Sequence, residues 1–159
     1  MKKVIVSALA LPLILFSCKP KEKEKEKDQM LKEGKWKITK LALSNSNGTQ
    51  DLYGAMSDCD KDNFYFFNAD NSFSLDESTL KCNASDPQTT TDGRWALEQN
   101  NTKLVLKEST IFGVKGDENL NVVSITTSSI EFSKDTTITL PAPLGTVTGK
   151  FQGTFTNVK

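Results

Sequence analysis

The stretch Trp95-Ala96-Leu97-Glu98-Gln99-Asn100-Asn101-Thr102-Lys103-Leu104-Val105-Leu106 decides the fold class. Two short alternating runs flank a pair of asparagines, and Asn tolerates the positive φ that a two-residue hairpin turn demands. In an antiparallel hairpin the position numbers of facing residues sum to a constant. A turn at Asn100-Asn101 therefore sets Leu97 opposite Leu104 and Trp95 opposite Leu106, all four on one side. A slip of one residue would send every one of them to the other face, so their agreement fixes the register.

The same reasoning extends outward along the chain. A turn at Thr127-Ser128 pairs Ile125 with Ile130 and Val123 with Phe132, with a bulged version left open because these turn residues suit a tight loop less well. Around Asn68-Ala69-Asp70-Asn71-Ser72 two registers are open. A two-residue loop gathers Phe64, Phe66, Phe73 and Leu75 on one face. A three-residue loop with Asn71 in the left-handed position gathers Tyr65, Phe67, Phe73 and Leu75, and it is preferred because Asn-Ala-Asp-Asn suits a type I turn followed by a bulge. The last run has a polar face of Thr146, Thr148, Lys150, Gln152, Thr154 and Thr156. Its other face is Val147, Gly149, Phe151, Gly153 and Phe155, where glycines between aromatics predict bending or close approach of another backbone. The first run places Trp36 and Ile38 inward, then slips phase at Lys40 to give Leu41 and Leu43, which predicts a bulge.

Eight strands follow: 34–43, 62–68, 72–81, 92–99, 102–108, 119–126, 129–140 and 145–157. Short links favour an up-and-down antiparallel meander, and eight such strands avoid exposed edges by closing into a β-barrel. A two-sheet sandwich is the alternative. The one long connector, residues 44–61, is expected over one barrel mouth.

The 159 residues carry 20 basic and 20 acidic side chains, a single Arg and no His. A balanced charge without a basic stripe gives no footprint for nucleic acid. The missing histidine removes the commonest general base and zinc ligand. Asp76 and Glu77 do not form a catalytic pair, since neighbours on a strand point to opposite faces. The chain reads as non-enzymatic and cofactor-free. Asp58-Cys59-Asp60-Lys61-Asp62-Asn63 opens like a calcium loop, yet Asn63 stands where Gly is expected and Ala69 where the bidentate Glu must be. It reads as a solvated acidic loop, with no metal assigned.

At the start, Met1-Lys2-Lys3, the uncharged run Val4–Phe16 and Ser17 precede Cys18. A positive n-region, a 13-residue apolar run and a small residue have the form of a secretory signal, and the run is too short for a spanning helix, which needs about 20 residues. Leu15-Phe16-Ser17-Cys18 resembles a bacterial lipobox, in which the Cys becomes the acylated first residue, carrying chains such as palmitate. The expected organisation is a signal peptide at 1–17, lipidated Cys18 and a charged tether at 18–30, and one domain at 31–159. Removing residues 1–17 leaves two further cysteines, Cys59 and Cys82, and an even pair in an exported chain reads as a disulfide. Either register of the 68–72 hairpin brings them within one or two residues of facing each other, stapling its open end.

Gly34-Lys35-Trp36 matches the Gly-x-Trp of lipocalins. Over about residues 31–133 the chain resembles the lipocalin-like lipoproteins of the Bacteroides group. The marks are Cys59, the aromatic run from Asp62 to Phe67, the turn at Asn68–Asn71, Cys82, a second Gly-x-Trp at Gly93-Arg94-Trp95 and Leu104-Val105-Leu106. It departs from the pattern in Asn71 for the usual Gly, and in lacking a C-terminal helix and an Arg on the first Trp. Within the tether, the resemblance points to the outer membrane, facing the periplasm or the cell surface. Asp135-Thr136-Thr137 also resembles a short O-glycosylation acceptor of that group. The resemblance implies a barrel, and an eight-stranded barrel either fills with side chains or holds one small ligand. The candidate lining residues are Trp36, Tyr65, Phe67, Phe73, Trp95 and Phe151, for a small hydrophobic ligand. The alternative is a filled barrel whose surface binds a protein or glycan partner.

Overall fold

The alternating runs form nine strands, in chain order β1 (Trp36–Asn45), β2 (Gly48–Asp51), β3 (Phe64–Phe67), β4 (Ser72–Asp76), β5 (Thr89–Glu98), β6 (Lys103–Ile111), β7 (Val114–Ile125), β8 (Ser129–Thr139) and β9 (Thr146–Asn157). Two short helices join them, α1 (Lys27–Lys32) and α2 (Asp58–Asp62). The computed structural model describes residues 26–112, 114–139 and 146–158. Cys18 and the signal segment lie outside the described residues. So does the tether up to residue 25, while α1 begins inside the stretch read as tether and buries Leu31 completely.

All pairings are antiparallel. From β3 to β9 each strand pairs with the next, and β1 pairs with both β3 and β9, which closes an eight-stranded barrel. The ninth strand, β2, folds back on β1 with Ala42 opposite Asp51 and Asn45 opposite Gly48. The connector 44–61 thus spends its first half on the barrel wall rather than over a mouth. Its second half packs Leu52, Tyr53 and Met56 against the core.

Two of the three predicted hairpin registers hold throughout. Trp95 faces Leu106 and Leu97 faces Leu104, although the loop is longer than two residues, with Gln99, Asn100 and Asn101 all at positive φ. Tyr65 faces Leu75 and Phe67 faces Phe73, with Asn71 at φ 63°, so the three-residue loop is the one adopted. The β1 bulge falls between Ile38 and Lys40. Val123 corrects the expectation: the ladder slips between Val122 and Ser124, Val122 faces Phe132, and Val123 is 61% exposed. The bulge sits in the strand because Thr126 tightens the turn, its hydroxyl accepting from the Ser128 and Ser129 amides. The strand expected at 72–81 ends at Asp76, where Ser78 at φ 52° turns the chain out of the sheet.

The core is the inward face of these strands. Trp36, Tyr65, Phe67, Phe73, Phe132 and Phe155 are its largest fully buried side chains. The glycines of β9 permit close approach, as the alternation predicted: a Cβ at Gly153 would overlap the Phe132 ring, and one at Gly149 would lie 2.7 Å from the Ser44 carbonyl. Gly34 is the stricter case. The Trp36 indole folds back over it, so any Cβ at position 34 would occupy the volume of the ring. Gly34→Ala is expected to cost about 1–3 kcal/mol, the range for overpacking a filled site, measured as a lowered urea midpoint with an unchanged m-value.

Candidate functional site

The inward face divides into a floor and a rim. At the floor, α1 closes one end of the barrel, and the Trp36 Nε1–H donates to the Leu31 carbonyl at 2.9 Å. Trp95 does the same to the Asn68 carbonyl at 3.1 Å, and the Lys32 ammonium lies 5.7 Å from the centre of its ring. Phe67 meets Trp95 and Phe73 edge-on at 5.4 and 5.3 Å, and Tyr65 meets Phe73 and Phe155 at 5.9 and 5.6 Å. Five of the six candidate lining residues, Trp36, Tyr65, Phe67, Phe73 and Trp95, are thus brought together as a packed layer. Trp36, Tyr65, Phe67 and Phe73 are fully enclosed in it, while Trp95 keeps an edge on the surface. Tyr65 keeps a polar tip: burial, with the Asp60 charge adding to it, pushes the phenol's pKa up, against the smaller opposing effects of the Phe112 backbone and the Asn63 side chain. Outside the floor, an open depression of about 880 Å³ runs beside α1 past Met30, Lys32, Trp95, Leu97 and Ile125.

The rim begins where complete burial ends. Phe151, the sixth candidate, is half-buried and meets Phe112 edge-on at 5.3 Å. Phe112 occupies the β6–β7 turn at φ 56°, a region where a bulky side chain is strained. Its ring is held there by Phe132 at 5.8 Å and Phe155 at 6.4 Å. Two charged residues share this face. Along β8 the inward positions are Ile130, Phe132 and then Lys134, which lies directly opposite Phe151 on β9. Along β7, Glu118 follows Leu120 on the inward side, opposite Leu106. Lys134 Nζ donates to Glu118 Oε2 at 2.6 Å, with side chains 34% and 27% exposed. Two half-buried rings and a half-buried ion pair thus share the inward face at this level.

Phe112, Glu118 and Lys134 were not among the sequence candidates. Lys134 was legible, since period two carries Ile130 and Phe132 on to it. Glu118 was hidden because β7 starts five residues earlier than its pattern suggested, and Phe112 because nothing in the sequence marks a turn residue whose ring points back inside.

The Cys59–Cys82 disulfide is present, with Cα atoms 5.3 Å apart. It joins α2 to the irregular segment 77–88 rather than two paired strands, because β4 stops at Asp76. Asp62 makes a second clasp between the same two segments. Its Oδ2 accepts from the Thr79 amide, the Thr79 hydroxyl and the Leu80 amide, and Lys37 lies 3.7 Å from Oδ1. The Thr79 bonds, hydroxyl first, then the Leu80 amide and the Lys37 charge, hold its pKa at about 2. Asp58, Asp60 and Asp62 lie on a helical turn capped by Ser57; Asp60 accepts from the Ser57 hydroxyl, Asp58 stays exposed beside Lys61, and both sulfurs beside Asp60 are bonded to each other. Glu77, next to this clasp, has its pKa raised by burial, with Asp86 adding to the effect.

A family model described as a lipocalin-like domain matches residues 33–133, well over half of the chain. No curated protein matches it.

Two outcomes follow from the clasps. Replacing both Cys59 and Cys82 by Ser is expected to cost about 3 kcal/mol, the loop-closure value for a bridge of this span, read from denaturant unfolding. Asp62 has a folded pKa below its unfolded value, so its contribution is complete above about pH 4 and fades as the pH falls towards 2. Asp62→Asn is expected to lower stability at pH 7 and to flatten its decline between pH 5 and 2, measured by urea titration at each pH.

Proposed function

Since the chain belongs to the lipocalin-like domain family, we propose that it is a non-catalytic binding protein that carries a small hydrophobic or amphipathic molecule at the barrel rim, tethered to the outer membrane through lipid on Cys18. The observation that carries the binding reading is the pair of half-buried rings, Phe112 and Phe151, standing over a filled aromatic floor. Half-buried aromatics at a mouth gain most from a ligand that covers them, since each 100 Å² of apolar surface removed from water stabilises by about 2.5 kcal/mol. The floor residues Trp36, Tyr65, Phe67, Phe73 and Trp95 act in this reading as the rigid base of the seat. The tether rests on Cys18 and the apolar run before it.

The packed floor favours a second reading, a surface module for a protein or glycan partner. Its contact face would be the 44–61 connector with the outward aromatics Phe64 and Phe66. That face is partly covered, because the Lys35 ammonium lies 3.6 Å from the centre of the Phe64 ring.

Native mass spectrometry of the full chain purified from its host separates the two. A reproducible bound mass removed by organic extraction is expected for the rim reading. An unliganded mass, together with no uptake of a fluorescent fatty-acid probe, would move the function to the surface. Phe151→Ala is expected to weaken probe binding about tenfold through the lost ring contact, measured by fluorescence titration. Cys18→Ala is expected to abolish incorporation of labelled palmitate in cells; labelling that persists would remove the anchor.

A further inference from the structure

We infer that the Glu118–Lys134 pair selects the ligand by charge: the rim takes an amphipathic molecule whose head is uncharged and offers both a donor and an acceptor, such as a primary amide. This rests on the binding reading above.

The pair is placed where selection would occur. Lys134 is the next inward residue beyond fully buried Phe132 and faces Phe151 across the ladder. Glu118 is the next beyond fully buried Leu120. An apolar body lying on Phe112 and Phe151 therefore brings its head to the two charges. An ammonium has three donors and a carboxylate two acceptor oxygens, and the 2.6 Å contact uses one donor of Lys134 and one oxygen of Glu118. Donors and an acceptor remain side by side on one wall.

An anionic head could reach a remaining donor of Lys134 only by lying beside the like charge of Glu118. A cationic head would meet the like charge of Lys134 in the same way. A like charge within a few ångströms disfavours the charged form of a group, and a neutral head meets neither repulsion. A head with one donor and one acceptor can bond to Glu118 and Lys134 at once. Discrimination then comes from the repulsive member of the pair as much as from the attractive one.

The test uses three probes that share one dansylated C11 chain and end in a primary amide, a carboxylate or an ammonium group, titrated into the full chain. For the wild type the amide is expected to bind tightest, by about tenfold, the scale of one hydrogen bond to a charged group. Glu118→Gln is expected to raise carboxylate affinity about tenfold, and Lys134→Gln to raise ammonium affinity and lower carboxylate affinity by similar factors. Each variant gains a ligand, so misfolding cannot imitate the result. If the three probes bind the wild type equally and neither variant changes their order, charge selection is wrong while rim binding stands. A wild-type preference for the carboxylate or the ammonium probe would also overturn it. If no probe binds the wild type, the binding reading itself fails and the selection with it.

Discussion

The indole of Trp36 lies across Gly34 and donates its N–H to the Leu31 carbonyl, and the barrel's closure depends on that contact. The residue opens β1, the strand on which the sheet meets itself, and it pairs at once with Asn157 of β9 and Tyr65 of β3. With the ring buried, α1 is drawn under the barrel, Leu31 is removed from solvent, and the first and last strands are held in register. A buried indole needs a partner for its N–H, and the chain reversal just before the strand supplies the Leu31 carbonyl, which also accepts from the Gly34 amide. Gly34 is the residue that makes the reversal compatible with the ring.

Above that layer the inward face changes character in steps. The floor is aromatic and closed, with mostly edge-on ring contacts, and the Tyr65 hydroxyl is its polar tip. The next level exchanges Phe132 for Lys134 and Leu120 for Glu118, and its rings are half-covered. The disulfide and the Asp62 clasp act elsewhere, holding α2 and the 77–88 segment together so that β3 enters the barrel from a fixed direction. Stability is thus concentrated in the lower layer and at the clasps. The rim is the part whose side chains still have something to gain by contact.

Most of the architecture could be read from alternation, because a strand with one buried face reveals its register wherever apolar residues must meet. Trp95 with Leu106 is a case where a single register satisfied every side chain, whereas the Tyr65, Phe67, Phe73 and Leu75 set was separated from the Phe64 and Phe66 register only by its turn residues. Val123 shows the limit. It is apolar and sits at the expected spacing, yet one inserted residue put Val122 inside, and with Val at both 122 and 123 this bulge, unlike that of β1, leaves no visible slip in the apolar pattern. Strand ends were less legible still, since Asp76 is followed by residues that could have continued β4. The six aromatics were correctly seen as inward, but alternation gives a residue's face and not its depth. It could not separate five floor residues from Phe151 at the rim.

The position of α1 also sets a leash. Eight residues, 19 to 26, separate Cys18 from the helix, and a chain of that length reaches at most about 28 Å. The eleven residues of β8 run for about 36 Å along their own direction. With the anchor proposed at Cys18, the barrel is tied by its closed end on a line shorter than β8. It can tilt or lie over, but upright it holds the rim away from the bilayer. Cargo collected there would then come from the aqueous side, and delivery to the lipid would require the whole domain to lean.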